Sequence, residues 1–148
     1  MLSASNVRSA GGAATYFAAD NYYTKADADR SGQWIGEGAE RLGLKGQVDA
    51  PAFEALLRGE LPNGERVGSD KQYHRAGTDL TFSLPKSWSL IALVGGDKRI
   101  IEAYRTAVIE TLQWAEKNIA ETRVFSRGKI KAIGSGNLTI GLFQHDTN

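Results

Sequence analysis

The order of hydrophobic and polar positions predicts a strand at the start of the chain and a mixture of helices and loops after it. Residues 1–7 are short, β-tolerant and partly apolar, which indicates a strand. Small residues dominate from Arg8 to Ala19 and predict a helix, whereas residues 24–48, rich in Gly, Asp and Lys, indicate a loop with short turns. Asp49 is expected to cap a helix with Pro51 in its first turn, because both residue types favour helix N-termini.

The middle of the chain combines one alternating strand with two helices. Residues 78–83 alternate with a period of two, which places Asp79 on the polar face and Leu80 on the apolar face of a strand. Ser83 is expected to cap the helix that follows. The longest helix is expected from Asp97 to about Glu121, because apolar residues recur there at steps of three and four and form one stripe.

Residues 137–145 predict a last strand, in which Leu138 and His145 lie on opposite faces. Strands and helices in separate runs predict an α+β fold, an antiparallel sheet with helices packed on one face. If the strands of Asp79 and His145 share that sheet, both side chains emerge on its uncovered face. There the carboxylate could orient the imidazole as a metal ligand. A histidine that is simply exposed is the alternative.

A hairpin is predicted where Arg127-Gly128 separates two β-type segments, residues 123–126 and 129–133. The net charge of the chain is only +1, but this hairpin gathers basic residues, and none of residues 122–131 is acidic. The cluster indicates either a solvated edge or a ribbon that faces phosphates. Its members are Arg123, Arg127, Lys129 and Lys131.

Composition narrows the class of protein. The chain has no cysteine, which excludes disulfides and thiolate metal sites and fits a reducing cytosol. No segment reaches the roughly 20 apolar residues of a membrane span, and the N-terminus lacks the pattern of a secretory signal. At 148 residues, a single domain or part of a larger one is expected.

Three of the five tyrosines lie in the segment TYFAADNYY, residues 15–23. An aromatic cluster that fills the core is one interpretation, and a tyrosine nucleophile that holds a covalent intermediate is the other. The glycine motifs GEGAE and GSGN do not have the spacing of a phosphate-binding loop. The residues alone therefore leave open a nucleophile, a DNA-binding module and a domain that binds a small ligand or a protein.

Several blocks, read in order, resemble the N-terminal relaxase domain of conjugative plasmid transfer proteins of the TraI/TrwC (MobF) type. The resemblance spans essentially all of the chain, and the block closest in wording is DLTFSLPKSWSL; the order of the blocks together is what makes the resemblance specific. The blocks are TYF…NYY, WIGEGAERLGLKG at residues 34–46, VD-x-x-x-F-x-x-L-L-x-G at 48–59, DLTFSLPKSWSL at 79–90, GGDKRIIEAY at 95–104 and GNLTIGLFQHDT at 136–147.

The resemblance implies a site- and strand-specific DNA transesterase with the palm-like fold of HUH relaxases. Tyr16 matches the tyrosine that attacks one phosphodiester at the origin of transfer and forms a 5′-phosphotyrosine link. Tyr22 matches the leading tyrosine of a second pair, which acts in a later strand transfer, and Tyr23 supports or replaces it. Phe17 departs from the family pattern, in which a second tyrosine often follows the first.

The resemblance also implies a divalent metal ion, Mg²⁺ or Mn²⁺, bound by three histidines. His145 matches the first of them, and Asp79 matches the carboxylate that holds one metal histidine in place. The other two form a His-x-His pair that this sequence lacks, since its only other histidine is His74. We therefore expect residues 1–148 to be the N-terminal part of a relaxase domain, incomplete at its C-terminus and inactive alone.

The expected partner is single-stranded DNA at the origin of transfer. The four basic residues of the hairpin and Lys86 are predicted to contact it. The resemblance further implies accessory relaxosome proteins, a coupling protein and a cytoplasmic, plasmid-encoded bacterial protein without membrane insertion. A non-catalytic module that binds single-stranded DNA is the alternative function.

Overall fold

The computed structural model describes residues 1–7, 9–13, 32–67 and 75–144. Within these ranges, helices and antiparallel strands alternate in short runs. The strands are β1 (Leu2–Val7), β2 (Gln33–Ile35), β3 (Gly77–Phe82), β4 (Glu121–Ser126), β5 (Lys129–Gly134) and β6 (Ile140–Leu142). The helices are α1 (Glu37–Arg41), α2 (Ala50–Leu57), α3 (Lys86–Leu93) and α4 (Lys98–Asn118), and residues 10–13 are also helical.

The described strands form three antiparallel pairs. Strand β1 pairs with β3, β2 with β6, and β4 with β5. This confirms the α+β class with antiparallel strands. Asp79 lies opposite Ser5 in the first pair, whereas β6, which leads toward His145, belongs to the second. In the described residues, the strand of Asp79 and the strand that leads to His145 therefore do not share a ladder.

The predicted helix starts are confirmed at two positions and wrong at a third. The Asp49 carboxylate accepts a hydrogen bond from the Ala52 N–H at 3.0 Å, and Asp97 accepts one from the Arg99 N–H at 3.1 Å. Helix α3, by contrast, begins after Pro85 without a side-chain cap. Ser83 lies two residues before the N-cap position, because its N–H bonds to the Met1 carbonyl at 2.9 Å and prolongs the pairing of β1 with β3.

The prediction of a loop over residues 24–48 is wrong for its second half, where β2 and α1 form. Trp34 lies opposite Gly141 of β6, and its side chain is buried with Ala39 and Val48. Both elements are very short, so a hydrophobic period has too few residues to show itself. Contacts with distant parts of the chain hold them instead.

The core has two parts. The first surrounds Val48, which is fully buried, and includes Phe53 and Phe143. The rings of these two residues pack edge to face, with their centroids 5.3 Å apart. The second lies on α4, where Val108 and Leu112 of the predicted apolar stripe are buried. The stripe ends earlier than predicted. Helix α4 stops at Asn118, Ile119 is exposed and Glu121 already begins β4.

Candidate functional site

The predicted nucleophiles Tyr16, Tyr22 and Tyr23 and the predicted metal ligand His145 lie outside the described residues. Their roles stay predictions. The structure does describe the chain that leads directly to His145, namely β6 and the two residues after it, and it shows what fixes that segment.

Glu116 of α4 fixes the backbone just before β6. Its carboxylate oxygen Oε1 accepts the Leu138 N–H at 2.6 Å and the Glu37 N–H at 2.8 Å. The residue is only 7% exposed, so these bonds compensate for burying a carboxylate. The Leu138 carbonyl in turn accepts the Gly38 N–H at 3.0 Å. The N–H of Leu138 is therefore held by α4 and its carbonyl by α1.

Sequence reasoning missed Glu116, although one signal was present. Val108, Leu112 and Glu116 follow one another at steps of four on α4, so the carboxylate continues the buried apolar stripe. A single acid in such a stripe indicates a buried hydrogen-bond acceptor. Its partners come from residues 22 and 79 positions away and could not be read from the pattern.

The glycines of the GEGAE motif allow the close approach to Leu138. Gly36 has a φ of 101°, a region that favours glycine. A Cβ on Gly38 would lie 2.7 Å from the Leu138 carbonyl oxygen and 2.8 Å from the Thr139 Oγ1. The glycines of GEGAE, residues 36–40, therefore allow α1 to pack against the segment that enters β6.

Asp79 is exposed on β3. Among the described residues, no group of three or more His, Cys, Asp or Glu side chains could hold a metal ion. The predicted contact between Asp79 and His145 involves a residue outside those ranges, and it stays a prediction.

The hairpin of β4 and β5 forms where the sequence predicts it. Arg127 and Gly128 at its turn have φ values of 51° and 75°, as in the two-residue turns whose twist suits a hairpin. Every residue from 121 to 134 is exposed, so both faces of the ribbon contact solvent.

The pairing divides the four basic residues of the hairpin between its two faces. Val124 lies opposite Lys131 and Ser126 opposite Lys129, so the two lysines share one face. Arg123 lies on the other face, and Arg127 occupies the turn. Within the described ranges, none of the four forms a salt bridge.

The face of Arg123 also carries apolar side chains. Phe125 is 73% exposed and lies opposite Ile130, which is exposed as well. Lys86, the remaining basic residue predicted to contact DNA, is the first residue of α3 and is also exposed. The hairpin thus presents charge and an aromatic ring together.

A second feature, which the sequence did not reveal, is an open cleft of about 510 Å³ between α3 and α4, with Trp88 and Tyr104 in its wall. The Tyr104 hydroxyl is buried without a hydrogen-bond partner in the described part of the chain, and burial raises its pKa. Arg99 at the rim donates side-chain hydrogen bonds to Asp97 at 2.9 and 2.8 Å, which lowers the pKa of that carboxyl. We define this feature as the α3–α4 cleft.

Comparison with known proteins identifies the family. Residues 10–148 match the family model described as TrwC relaxase. The chain belongs to the TrwC relaxase family. The multifunctional conjugation protein TraI of Escherichia coli (strain K12) is 45% identical over 152 residues, which cover 100% of this chain and 8% of TraI.

Solved structures of the conjugative relaxase TrwC in complex with OriT DNA share the fold. A metal-free TrwC structure matches with a TM-score of 0.80 and 42% identity, and a metal-bound one with a TM-score of 0.82 and 42% identity. Each match covers 98% of this chain and 50% of the TrwC chain. This member of the TrwC relaxase family therefore spans about half the length of the TrwC chains and a small part of TraI.

These matches confirm the resemblance to the TraI/TrwC type and the α+β fold. They connect the chain to relaxases and to conjugation. In the described parts of the chain, no helix is long and apolar enough to cross a membrane.

Proposed function

We propose that this chain is the N-terminal part of a relaxase domain and supplies its nucleophile and a DNA-binding ribbon. Membership of the TrwC relaxase family over residues 10–148 carries the proposal. TrwC chains that match 98% of this chain were solved with OriT DNA. By analogy, the DNA partner of this chain is single-stranded DNA at an origin of transfer. The parent protein works there with accessory relaxosome proteins and a coupling protein in the cytoplasm.

In the proposed reaction, the Tyr16 hydroxyl oxygen attacks the phosphorus of one phosphodiester. A bond forms between that oxygen and phosphorus, and the bond from phosphorus to the 3′-oxygen breaks. The phenolic proton leaves to solvent or a base, the departing 3′-oxygen takes up a proton, and the 5′-phosphate stays on Tyr16. Tyr22, with Tyr23 beside it, acts in the later strand transfer. Since one phosphodiester replaces another, the strand can be rejoined without a nucleotide cofactor.

A phenol with an ordinary pKa of about 10 is a weak nucleophile near neutral pH. A divalent ion such as Mg²⁺ or Mn²⁺ supplies, when bound, polarisation of the scissile phosphate and neutralisation of its charge. His145 is the proposed first ligand, and Asp79 orients a metal histidine. The residues present do not complete such a site, because the sequence has only two histidines and the described ranges contain no ligand cluster. We therefore propose that this fragment alone does not cleave DNA.

The hairpin of β4 and β5 is the proposed DNA-binding ribbon. It presents four cations without salt bridges inside the described ranges, and a free cation can pair with a phosphate without first losing a partner. Lys86 adds a fifth contact from the start of α3. The cations of the ribbon are Arg123, Arg127, Lys129 and Lys131.

The nucleophile is tested by a covalent adduct. A chain extended through the His-x-His segment is incubated with Mg²⁺ or Mn²⁺ and an origin oligonucleotide labelled at its 3′ end, because the tyrosine keeps the 5′-phosphate of that fragment. A labelled band at the protein's mass on a denaturing gel is expected. Loss of the band with Tyr16→Phe and its retention with Tyr73→Phe support the assignment. An undiminished band in a Tyr16→Phe/Tyr22→Phe double variant contradicts it.

A second candidate function is a module that binds single-stranded DNA without cutting it. The exposed Phe125, Trp88 and Trp114 favour this function, because bases stack on exposed aromatic rings. Salt-dependent binding of the origin oligonucleotide by the extended chain, with no adduct in the presence of metal, would establish it in place of the relaxase.

A further inference from the structure

The turn after α2 contains the only Asn-Gly pair in the sequence, Asn63-Gly64. Both residues are exposed, and Gly64 has a φ of 85°. Nothing lies within 4 Å of the position that a Cβ on Gly64 would take. Because glycine has no side chain, its backbone nitrogen can be approached more closely than that of any other residue. The neighbouring side-chain amide of Asn63 can therefore reach this nitrogen.

The side chain of Asn63 is folded back toward Gly64. Its Oδ1 accepts the Glu65 N–H at 3.0 Å, which closes an Asx turn. In an Asx turn the side chain takes the place of a backbone residue in a β-turn, so its carbonyl carbon Cγ lies beside the backbone nitrogen of the next residue. The Glu65 N–H also polarises the amide carbonyl and faces the oxygen on which charge develops during an attack at Cγ. The turn therefore supplies both proximity and polarisation.

Two further hydrogen bonds act on this pair in opposite directions. The Nδ2 of Asn63 donates to the Glu65 carboxylate at 3.0 Å, so one residue holds both polar atoms of the amide. The Gly64 N–H donates to the Leu61 carbonyl at 2.9 Å, and this bond keeps the proton on the nitrogen. Attack at Cγ requires that the proton leave, and the exposure of the turn gives hydroxide access to it. The rate should therefore rise with pH.

We propose that Asn63 is a modification site, at which the chain converts its own asparagine to aspartate or isoaspartate through a cyclic imide with Gly64. The Gly64 nitrogen loses its proton to solvent and forms a bond to Cγ of Asn63. The bond from Cγ to Nδ2 breaks with its electron pair on nitrogen, which takes up protons from solvent and leaves as ammonia. Water then opens the five-membered ring at either carbonyl. The reaction involves no oxidation or reduction, and water is its only co-reactant.

The conversion changes the charge and the hydrogen bonds of the turn. A carboxylate at Asn63 replaces the amide that donates to Glu65, so two like charges meet, and the formal net charge of the chain falls from +1 to 0. Isoaspartate also adds one methylene to the main chain. The turn is closed by the Leu61 N–H to the Glu65 carbonyl and by the Val67 N–H to the Gly59 carbonyl, each at 2.8 Å. Hydrogen exchange of the Leu61 and Val67 amides should therefore lose protection in the converted protein.

Peptide mapping tests the proposal on the full chain. The protein is incubated at neutral and at mildly alkaline pH, and samples are digested with trypsin over a time course. Cleavage after Arg58 and Arg66 releases residues 59–66, which contain Asn63. Mass spectrometry should show the mass change from amide to acid in this peptide, faster at the higher pH, and fragmentation should identify isoaspartate. A sample digested before incubation corrects for conversion during digestion.

Asn118 is a control within the same protein. It is also exposed, and its side-chain amide donates to the Trp114 carbonyl at 2.8 Å, but the branched Ile119 follows it. Its conversion should be at least about tenfold slower than that of Asn63, which corresponds to a barrier higher by about 1.4 kcal/mol.

Gly64→Ala and Gly43→Ala separate ring closure from stability. Both glycines are exposed or half-buried, have left-handed φ values and have nothing within 4 Å of an added Cβ, so the two changes carry the same backbone strain. Only the methyl group at Gly64 stands beside the attacking nitrogen. Gly64→Ala should therefore slow the conversion of Asn63 about tenfold, and Gly43→Ala should leave it unchanged.

Three results would overturn the proposal. The first is conversion of Asn63 no faster than that of Asn118. The second is aspartate without isoaspartate, which would mean that water hydrolyses the side chain directly. The third is equal slowing, or no slowing, by Gly64→Ala and Gly43→Ala. These measurements need neither DNA nor metal, so failure of the adduct assay leaves their outcome unchanged.

Discussion

The Oε1 atom of Glu116 lies 2.6 Å from the backbone nitrogen of Leu138, and this hydrogen bond joins α4 to the segment that enters β6. The same oxygen accepts the Glu37 N–H at the start of α1. One buried carboxylate thus connects three parts of the chain that are far apart in sequence. The strand that leads to the predicted metal ligand His145 begins at this junction.

Removing the Glu116 carboxylate should destabilise the chain. Glu116→Ala leaves two backbone N–H groups without their acceptor, and we expect the free energy of unfolding to fall by about 2–4 kcal/mol. Glu116→Gln retains an acceptor oxygen and should cost only about 1 kcal/mol. Urea denaturation followed by circular dichroism measures both. If both variants lost the same free energy of unfolding, the negative charge of Glu116 would be what stabilises the fold, and its hydrogen bonds to the backbone would not.

Gly38→Ala should destabilise the chain although alanine normally favours helices. A methyl group at Gly38 would lie 2.7 Å from the Leu138 carbonyl oxygen, so backbone must shift, and we expect a loss of about 1–3 kcal/mol. Gly11→Ala is the matched helical control, because nothing lies within 4 Å of its added methyl group. There the change should be neutral or stabilise by up to about 1 kcal/mol. The same denaturation measurement checks both, and a stabilising Gly38→Ala would contradict the close approach.

Asp97 should stabilise α4 in a pH-dependent way. Hydrogen bonds from the Arg99 side chain hold the pKa of Asp97 below its ordinary value of 3.8. A carboxyl whose pKa is lower in the folded state stabilises the fold above pH 3.8, and this contribution is lost as the pH falls through the lower, folded value. Asp97→Ala should therefore lower the Tm at pH 7, and the difference from wild type should shrink below pH 3.8.

Asp97→Asn serves as the control for this prediction. Asparagine caps helices about as well as aspartate but cannot ionise. At pH 7, Asp97→Asn should recover part of the Tm that Asp97→Ala loses. The difference in Tm between these two variants should not change with pH, because neither has a carboxyl group at position 97. A difference between wild type and Asp97→Ala that persists unchanged at pH 2 would refute the prediction.

Lys131→Ala should weaken binding of single-stranded origin DNA and lower its salt dependence. If the lysine contacts one phosphate, the slope of log K against log salt should decrease by about 0.7. Lys45→Ala is the control, since Lys45 is an exposed lysine on the loop after α1. Fluorescence anisotropy at several salt concentrations measures the slopes. Equal slopes for wild type and Lys131→Ala would exclude this contact.

The sequence predicts the longer elements well because their signals are local. Asp49 and Asp97 mark helix starts by their own hydrogen bonds to the next turn, and Arg127-Gly128 marks the hairpin by its turn conformation. The prediction for Ser83 was wrong because this residue continues the pairing of β3 with β1 through backbone bonds to Met1, 82 residues away, and the helix begins only after Pro85. Elements defined by such long-range pairing, like β2, leave no period in the sequence.

Some residues of the candidate site could be predicted from the sequence, and others could not. The hairpin cations could be named from the sequence, but their division between two faces required the register of β4 and β5. Glu116 and Tyr104 were missed because each sits in an apolar stripe that predicts only burial. A hydrophobic pattern does not show what a buried polar group contacts. Glu116 accepts two backbone N–H groups, whereas the Tyr104 hydroxyl has no hydrogen-bond partner within the described ranges.

The hairpin has a consequence for the behaviour of the protein in solution. Within the described residues, β4 and β5 pair only with each other, so each strand has one edge with unpaired backbone groups. Such edges recruit strands from other molecules and seed aggregation, and charged side chains oppose this. Lys129 and Lys131 are therefore expected to oppose self-association of the protein. Neutralising them, or adding enough salt to screen them, should favour self-association, so monodispersity must be verified before any loss of DNA affinity is interpreted.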